Sequence, residues 1–195
     1  MLIDCHVVCC GPGPEAIGQW SAGVAGEPRI VILAGLAGSL SRRFTARSAY
    51  IPAAVVGPDG NRHRPTLIAP GSDDAPAPVV TSVPATVTSL AAKRALAQDT
   101  GTDLVDRESA AFAHAAIKRK WRWTIVRGIS DGPDTALPRD IDAWVDQRGR
   151  TRIGMVLKSL ARRPGILPSL VTLWADSTAA MVAAARLIEK VIGDR

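Results

Sequence analysis

Three short segments of this chain combine residue types that bind or activate small molecules. Residues 35–39 (GLAGS) offer small side chains and accessible backbone N–H groups, as a cradle for an anion or a ribose needs. Residues 106–109 (DRES) set two carboxylates beside a hydroxyl, and residues 127–131 (RGISD) combine a guanidinium, a hydroxyl and a carboxylate. Tight-turn packing, helix capping and a Ser/Asp turn, respectively, explain the same residues structurally. Their chemistry therefore depends on whether the fold brings the three segments together.

Hydrophobic patterning predicts an α/β fold that would do so. Short apolar runs predict strands at 3–10, 30–34, 48–56, 66–69, 79–83, 103–105 and 122–129. Helices are predicted at 15–25, at 88–100 with Gly101 as its end, and at 106–120 with Asp106 as its cap. The first strand, helix and second strand form a predicted parallel βαβ unit. Because ligands bind beyond the carboxyl ends of strands in such sheets, the three segments are expected at one site.

Two interruptions and a helical tail complete the predicted organisation. Pro52 indicates an edge or a bulge within 48–56, and the composition of 70–78 indicates a mobile loop. After residue 137 the pattern is helical, over 138–147, 151–162, 166–174 and 177–192. We therefore expect a single domain over 1–195, with an α/β core at 1–137 and a helical part at 138–195.

Composition limits the class of protein and its partners. The chain has 195 residues, of which 47% are apolar and 22% charged, and these values exclude a disordered, collagen-like or coiled-coil protein. The net charge of +6 admits nucleic acid, an anionic membrane surface or a phosphate-bearing small molecule. The basic residues stand in scattered groups without interleaved aromatic residues, which disfavours nucleic acid. Clustered Cys5, Cys9 and Cys10 favour a reducing cytoplasm, and with His6 they do not form a metal site.

The order and spacing of three motifs resemble the nucleoside phosphorylase/nucleosidase superfamily. The motifs are GLAGSL (35–40), VDRESAAFA (105–113) and VRGISDGPD (126–134). The C-terminal region is similar to that of hopanoid-associated phosphorylases, which are understood to remove adenine from adenosylhopane. The resemblance implies a mixed central sheet flanked by helices, with a helical C-terminal region. The first strand of the family pattern has no counterpart here, so the chain is expected to start at the following strand.

The resemblance implies roles for individual residues. Departure of the purine requires an acid that protonates N7 and groups that stabilise the positive charge on the sugar. It makes Asp131 the catalytic acid, with Ser130 beside it at the base, and makes Glu108 the ligand of the ribose hydroxyls. Arg107 adjoins the ribose in place of the Met of the family, and Leu36 stands where related phosphorylases use Ser for phosphate. The sugar and phosphate loop would consist of Gly35, Leu36, Ala37, Gly38 and Arg127, the last either orienting a carboxylate or meeting an anion.

The expected activity is that of a cytoplasmic pentosyltransferase that cleaves the N-glycosidic bond of a purine nucleoside. Phosphate would be the co-substrate, with no cofactor and no metal. The substrate implied by the resemblance includes a lipid-linked nucleoside such as adenosylhopane. A hydrolytic nucleosidase, a non-catalytic nucleoside-binding subunit and a nucleic-acid-binding domain are alternatives. A homo-oligomer is also expected.

A lipid-linked substrate would require contact with a membrane surface. Spacings of three and four predict an apolar stripe within 164–192, which in the ordinary case packs on the sheet. We expect instead that the part from Leu167 to Trp174 is exposed and adjoins the Asp131 segment. Arg162 and Arg163 would flank it and meet anionic headgroups, and the protein would then be peripheral at the membrane.

Overall fold

Two long parallel strands occupy the middle of a seven-stranded mixed sheet. The structure is a computed structural model that describes residues 5–26, 28, 30–67 and 77–193. Strand β1 (Val31–Ser39) pairs in parallel with β7 (Trp123–Asp131), and eight of the nine residues of β7 are buried. Such a run of apolar and β-branched residues is typical of a parallel strand that is covered on both faces.

The remaining five strands are short and extend the sheet on both sides. They are β2 (Ala49–Tyr50), β3 (Ala54–Val56), β4 (Arg62–His63), β5 (Val79–Ser82) and β6 (Leu104–Asp106). The order across the sheet is β2-β7-β1-β6-β5-β3-β4. Parallel pairing joins β3, β5 and β6, whereas β1 and β6 are antiparallel and meet only at Gly38 and Ser39. The carboxyl end of β1 therefore lies between β7 and β6, so residues of all three candidate segments meet there.

Five helices and two 3-10 turns in the described part of the chain flank the sheet. They are α1 (Pro14–Gly23), α2 (Leu90–Thr100), α3 (Ser109–Lys118), α4 (Ile153–Arg162) and α5 (Leu167–Gly193), with 3-10 turns at Ile141–Trp144 and Pro164–Ile166. Helix α2 begins where Ser89 accepts the Ala92 N–H at 3.2 Å and ends at left-handed Gly101. Helix α5 approaches β7 so closely that a Cβ on Gly128 would lie 2.6 Å from the Ala180 carbonyl oxygen.

Several predictions from the sequence are confirmed. The sheet is mixed and flanked by helices, and β5, α1, α2 and α4 lie where the patterns predicted them. The strand predicted at 48–56 is interrupted around Pro52. This break separates β2, at one edge of the sheet, from β3, near the other edge. Pro has no N–H to donate to a sheet, which accounts for this break.

The predicted strand at 3–10 is wrong over the residues that the structure describes. Residues 5–10 have no regular secondary structure, and Val7 is 87% exposed. Cys9 contacts the turn at residues 146–151, where its Sγ lies 3.5 Å from the Arg148 carbonyl oxygen. An apolar, β-branched run becomes a strand only when a neighbour pairs with its backbone, and no strand of the described sheet does so. The predicted βαβ unit is therefore absent as well.

The predicted ends of the central strands are too early. Residues 35–39 were expected in a loop but lie within β1, and Ser130 and Asp131 lie within β7. Pairing between the two strands continues to Gly38 and Asp131, which outweighs the low strand propensity of glycine. The expected loop cradle is therefore a paired strand end.

Other boundaries also differ from prediction. Helix α3 begins at Ser109, and Asp106 ends β6, although its carboxylate accepts the Ser109 N–H at 3.2 Å. The helix predicted at 138–147 is a single 3-10 turn. The two helices predicted over 166–192 are one, because Asp176, paired with Arg47 at 2.6 Å, does not interrupt α5.

The strand predicted at 66–69 is not formed at Thr66 and Leu67, the two residues of this range that the structure describes. Residues 68–76 lie outside the described residues, as does most of the loop predicted at 70–78.

Candidate active site

A cavity of about 300 Å³ lies beside the carboxyl ends of β1 and β7. Its polar lining includes the carboxylates of Asp106, Glu108, Asp131 and Asp142. Its apolar lining includes Leu36, Val83, Val87, Val105, Leu137, Ile141, Val145 and Leu173. Apolar walls with a few convergent polar groups are the usual composition of a small-molecule site, and the volume is at the lower end of the usual range. The cavity is therefore the candidate active site.

A buried lysine from α2 holds Asp131, the last residue of β7. The Asp131 side chain is 3% exposed and pairs with the ammonium of Lys93, which is 1% exposed. Lys93 also donates hydrogen bonds to the carbonyl oxygens of Gly132 and Thr135, at 2.7 and 2.9 Å. The other carboxylate oxygen of Asp131 accepts a hydrogen bond from the Ser130 hydroxyl at 2.6 Å. Both charges are thus compensated within the protein, and the carboxylate is fixed in one orientation.

A β-bulge sets the direction of the Ser130 and Asp131 side chains. Ala37 pairs with Ile129, whereas the next residue, Gly38, pairs with Asp131, so Ser130 is the extra residue. Such a bulge bends the strand and redirects its side chains, and bulges are frequent next to active sites. Both Ser130 and Asp131 consequently line the cavity.

The second carboxylate group is organised by a buried arginine. Arg127 is 1% exposed and lies behind the cavity, with its Nη2 2.5 Å from Asp106 Oδ2. Its Nε and Nη2 also donate to the Ser109 hydroxyl oxygen at 3.2 and 3.1 Å. The other Asp106 oxygen accepts a hydrogen bond from Ser82 at 2.6 Å. Of the two roles considered for Arg127, the geometry therefore favours orientation of carboxylates over contact with an anion in the cavity.

Glu108 connects this buried network to the cavity. Its Oε1 accepts the backbone N–H of Gly13, at the start of α1, at 2.8 Å. Its Oε2 lies 3.7 Å from Arg127 Nη2, and its side chain is 16% exposed. The positive end of α1 and the guanidinium thus hold the carboxylate at the cavity wall, where it can accept hydrogen bonds from a ligand.

Two glycines of β1 make room for these charged groups. A Cβ on Gly35 would lie 2.3 Å from Arg127 Nη1, and one on Gly38 would lie 3.0 Å from Asp131 Oδ2. Gly38, Leu36 and Ala37 line the cavity, whereas Gly35 lies against the arginine. The small residues of the GLAGS segment therefore leave space for the site, in addition to lining it.

Gly35→Ala should destabilise the protein, because Arg127 cannot move away without leaving Asp106 unpaired. We expect the free energy of unfolding to fall by about 1–3 kcal/mol, the usual cost of overpacking a buried site. Gly18→Ala, in α1 with nothing within 4 Å of the new Cβ, is the control. That change should stabilise by roughly 0.5–1 kcal/mol. Urea unfolding measures both, and an unchanged Gly35→Ala variant would contradict the described position of Arg127.

Arg107 differs from the other charged residues because it is incompletely paired. Its side chain is 28% exposed, and Nη1 lies 3.3 Å from Asp142 Oδ1. Its Nε is buried and has no hydrogen-bond partner among the described residues. Asp142 also accepts a hydrogen bond from the Thr86 hydroxyl. Arg107 thus lines the same cavity as Glu108 and carries a buried donor that is unused among the described residues.

The cavity lining therefore includes seven of the nine residues predicted for the site, and Gly35 and Arg127 support it from behind. Sequence reasoning missed Lys93 and Asp142, whereas Leu173 belongs to the stretch that was expected to adjoin the Asp131 segment. Lys93 carried no signal, because a lysine on a short helix is ordinarily solvated.

Metal ligands and thiols are the other groups that could take part in catalysis. No cluster of three or more His, Cys, Asp or Glu side chains in the described ranges is arranged to hold a metal ion. Burial raises the pKa of the Cys10 thiol, which keeps this side chain protonated at neutral pH.

Part of the chain matches a known family model. Residues 75–162 match the model of the Phosphorylase superfamily, over just under half of the chain. This range contains Lys93, Glu108, Arg127 and Asp131. No curated protein matches the chain.

Solved structures of nucleosidases share the fold over nearly the whole chain. The futalosine hydrolase of Helicobacter pylori is 15% identical over 94% of this chain and 77% of its own, with a TM-score of 0.63. The 5'-methylthioadenosine nucleosidase of Arabidopsis thaliana is 16% identical over 94% and 70%, with a TM-score of 0.63. A 5'-methylthioadenosine/S-adenosylhomocysteine nucleosidase of Colwellia psychrerythraea, solved with adenine, is 14% identical over 94% and 75%, with a TM-score of 0.65.

The chain thus has the fold of the nucleoside phosphorylases and nucleosidases. At these identities the likeness shows the fold.

Proposed function

We propose that this protein cleaves the N-glycosidic bond of a purine nucleoside in the cavity beside β1 and β7. One observation carries the proposal: the Asp131 and Glu108 carboxylates line the same apolar-walled cavity at the ends of adjacent elements. The purine would lie against the apolar wall with its N7 near Asp131, and the ribose would lie near Glu108. The family-model match and the fold shared with nucleosidases support the same assignment.

The two carboxylates would act on opposite ends of the bond that breaks. As the C1′–N9 bond lengthens, its electron pair moves onto the purine, and a proton passes from the Lys93 ammonium to the Asp131 carboxylate and from that carboxyl group to N7. Once the base has left, the neutral lysine takes a proton from solvent, which restores the ion pair. The ribosyl group becomes cationic, and Glu108 stabilises it through hydrogen bonds to the 2′- and 3′-hydroxyls.

For the acceptor we propose inorganic phosphate, which would make the protein a pentosyltransferase. A phosphate oxygen would bond to C1′ as N9 leaves, and we assign the Arg107 guanidinium to phosphate because this cation lines the cavity and is partly exposed. Hydrolysis by water is the second candidate, because all three structures described above are of nucleosidases or a hydrolase. Incubation of the protein with adenosine, with and without phosphate, distinguishes them. Base released only with phosphate selects phosphorolysis, base released without it selects hydrolysis, and binding without release selects a non-catalytic subunit.

The 5′ substituent of the nucleoside is the subject of a second proposal. We propose a lipid-linked adenosine of the adenosylhopane type, acted on by a cytoplasmic homo-oligomer at the membrane surface. The apolar residues Val145 and Leu173 support it, because they extend the cavity lining towards the C-terminal helices. Faster release of adenine from an adenosine with a long 5′-alkyl substituent than from adenosine would support this substrate class, and equal rates would oppose it.

Glu108→Gln should reduce discrimination between ribo- and 2′-deoxyribonucleosides. A hydrogen bond to a charged group contributes about 1.5–3 kcal/mol, so the preference for the ribonucleoside should fall by roughly 10- to 100-fold in kcat/KM. The matched control is Glu15→Gln, which removes an exposed carboxylate from the first turn of α1. If Glu108→Gln lowers only the melting temperature and leaves the sugar preference intact, Glu108 serves α1 and not the ribose.

A further inference from the structure

The excess positive charge of the chain is concentrated in one segment. Residues 147–175, here called the basic segment, contain six basic residues and no acidic one. Because the whole chain has 24 basic and 18 acidic residues, the rest of it carries 18 of each. All six cations are exposed: Arg148, Arg150, Arg152, Lys158, Arg162 and Arg163. The excess charge therefore lies in α4, the start of α5 and the turn before α4, where Asp140 pairs with one of the six cations, Arg163, at 2.7 Å.

The same segment exposes large apolar side chains. On α4, Ile153 and Leu157 are 68% and 58% exposed, and they are one helical turn apart. On α5, Leu167, Val171 and Trp174 follow at spacings of four and three and are 49%, 58% and 73% exposed. The exposure predicted for Leu167 to Trp174 is thus confirmed. Exposed apolar stripes among cations indicate an interaction site.

Helix α5 is attached to the domain through residues from Asp176 onward. With the turn before it, the range Pro164–Gly193 is long and apolar enough to cross a membrane by length and composition, with 6% of its most apolar window buried. However, Ala180 and Ala184 are buried, Ala180 lies against Gly128 of β7, and Asp176 pairs with Arg47. These contacts hold α5 along the sheet, so the exposed side chains from Leu167 to Trp174 can lie on a surface while the domain stays folded.

The chemistry of the basic segment selects among possible partners. A symmetric contact with a second copy would bring two segments of +6 together, which is electrostatically unfavourable. Nucleic acid would satisfy the cations but would leave Ile153, Leu157 and Val171 without an apolar partner. An anionic lipid surface satisfies both groups, since cations meet the headgroups while aliphatic side chains and Trp174 enter the interface.

We propose that the basic segment binds peripherally to an anionic bilayer. Leu173, between Val171 and Trp174, lines the cavity that contains Asp131, so the bound protein would hold this cavity beside the lipid. This orientation would give access to a lipid-linked substrate, and that consequence alone rests on the proposed function. Binding itself requires no catalysis, so its failure is distinguishable from failure of nucleoside cleavage.

Co-sedimentation of the full chain with vesicles tests this contact. The wild type should bind vesicles of phosphatidylcholine with phosphatidylserine, bind those of phosphatidylcholine alone far less, and be released by high salt. Lys158→Gln with Arg162→Gln should weaken binding by about tenfold or more, since both side chains are exposed. The matched control is Lys118→Gln with Arg122→Gln, two exposed cations near the opposite end of β7, which should bind like the wild type.

Trp174→Ala tests the apolar part of the contact in the same vesicle assay. Its control is Ile117→Ala, which removes an apolar side chain that is 48% exposed on α3. Trp174→Ala should lose vesicle affinity, and a blue shift of wild-type fluorescence on binding should be absent from the variant. Lack of binding to anionic vesicles, equal loss in the control variants, or steeply salt-dependent RNA binding without vesicle binding would overturn the proposal. So would a concentration-dependent dimer that buries Trp174.

Discussion

Asp131→Asn is expected to lower kcat for release of the purine by about 10²-fold or more, the usual contribution of a general acid. An amide at this position cannot deliver a proton to N7, whereas its size is unchanged. The change corresponds to about 2.7 kcal/mol of transition-state stabilisation. The measurement is kcat with adenosine and the established acceptor, taken well below the melting temperature of each variant.

The buried ion pair between Lys93 and Asp131 means that Asp131→Asn should also affect stability. Considered from the sequence alone, Asp131→Asn should hardly affect stability, but Lys93 would remain buried without its counter-charge. A lower melting temperature is therefore expected as well. Asp134→Asn is the matched control, because this carboxylate lies three residues away, is half exposed and pairs with Arg42. A folded Asp131→Asn variant with the kcat of the wild type would remove Asp131 from the mechanism.

Arg127→Met is expected to lower the free energy of unfolding by about 3–5 kcal/mol, the usual result of removing one partner of a buried ion pair. Asp106 would lose the guanidinium 2.5 Å away, and Glu108 would lose the cation behind it. Chemical denaturation measures the change. Because Arg127 positions the carboxylate that we assign to the ribose, the surviving folded protein should also show a raised KM for the nucleoside.

A second variant separates charge from packing. In Arg127→Met with Asp106→Asn, the uncompensated carboxylate is removed, so much of the lost stability should return. The raised KM should remain, since Glu108 still lacks the guanidinium. Full recovery of both stability and KM would show that Arg127 has no positioning role, and no recovery of stability would show that the loss came from packing alone.

The candidate site could be predicted from the sequence because its residues stand in short motifs. Glu108 and the Ser130–Asp131 pair lie at the ends of elements that local patterns reveal, and the end of a strand is where an α/β fold places ligands. The role of each residue within the site was harder to predict from the sequence. Arg127 was grouped with a phosphate loop, yet it lies 1% exposed against Asp106, and Gly35 is small because that guanidinium occupies the adjacent space.

The sequence by itself determined the elements with strong local signals. Ser89 and Gly101 define the two ends of α2 through capping, and the apolar run of β7 is buried in any arrangement of the sheet. The concentration of charge in residues 147–175 is likewise a property of the sequence. In each case the physical cause acts between residues that are close along the chain, so no knowledge of the fold was needed.

Only the tertiary structure decided which groups meet. Lys93 and Asp131 are 38 residues apart, and a lysine in a helix is ordinarily solvated, so nothing local indicates that this one is buried. Residues 5–10 have the composition of a strand but no pairing partner in the described sheet, while Asp176 and Ser177 continue α5 because the helix packs on β7. Which charges, strands and helix faces pair depends on segments that are distant along the chain. The free energy of these tertiary contacts outweighs local conformational preferences, and a local sequence pattern carries no information about it.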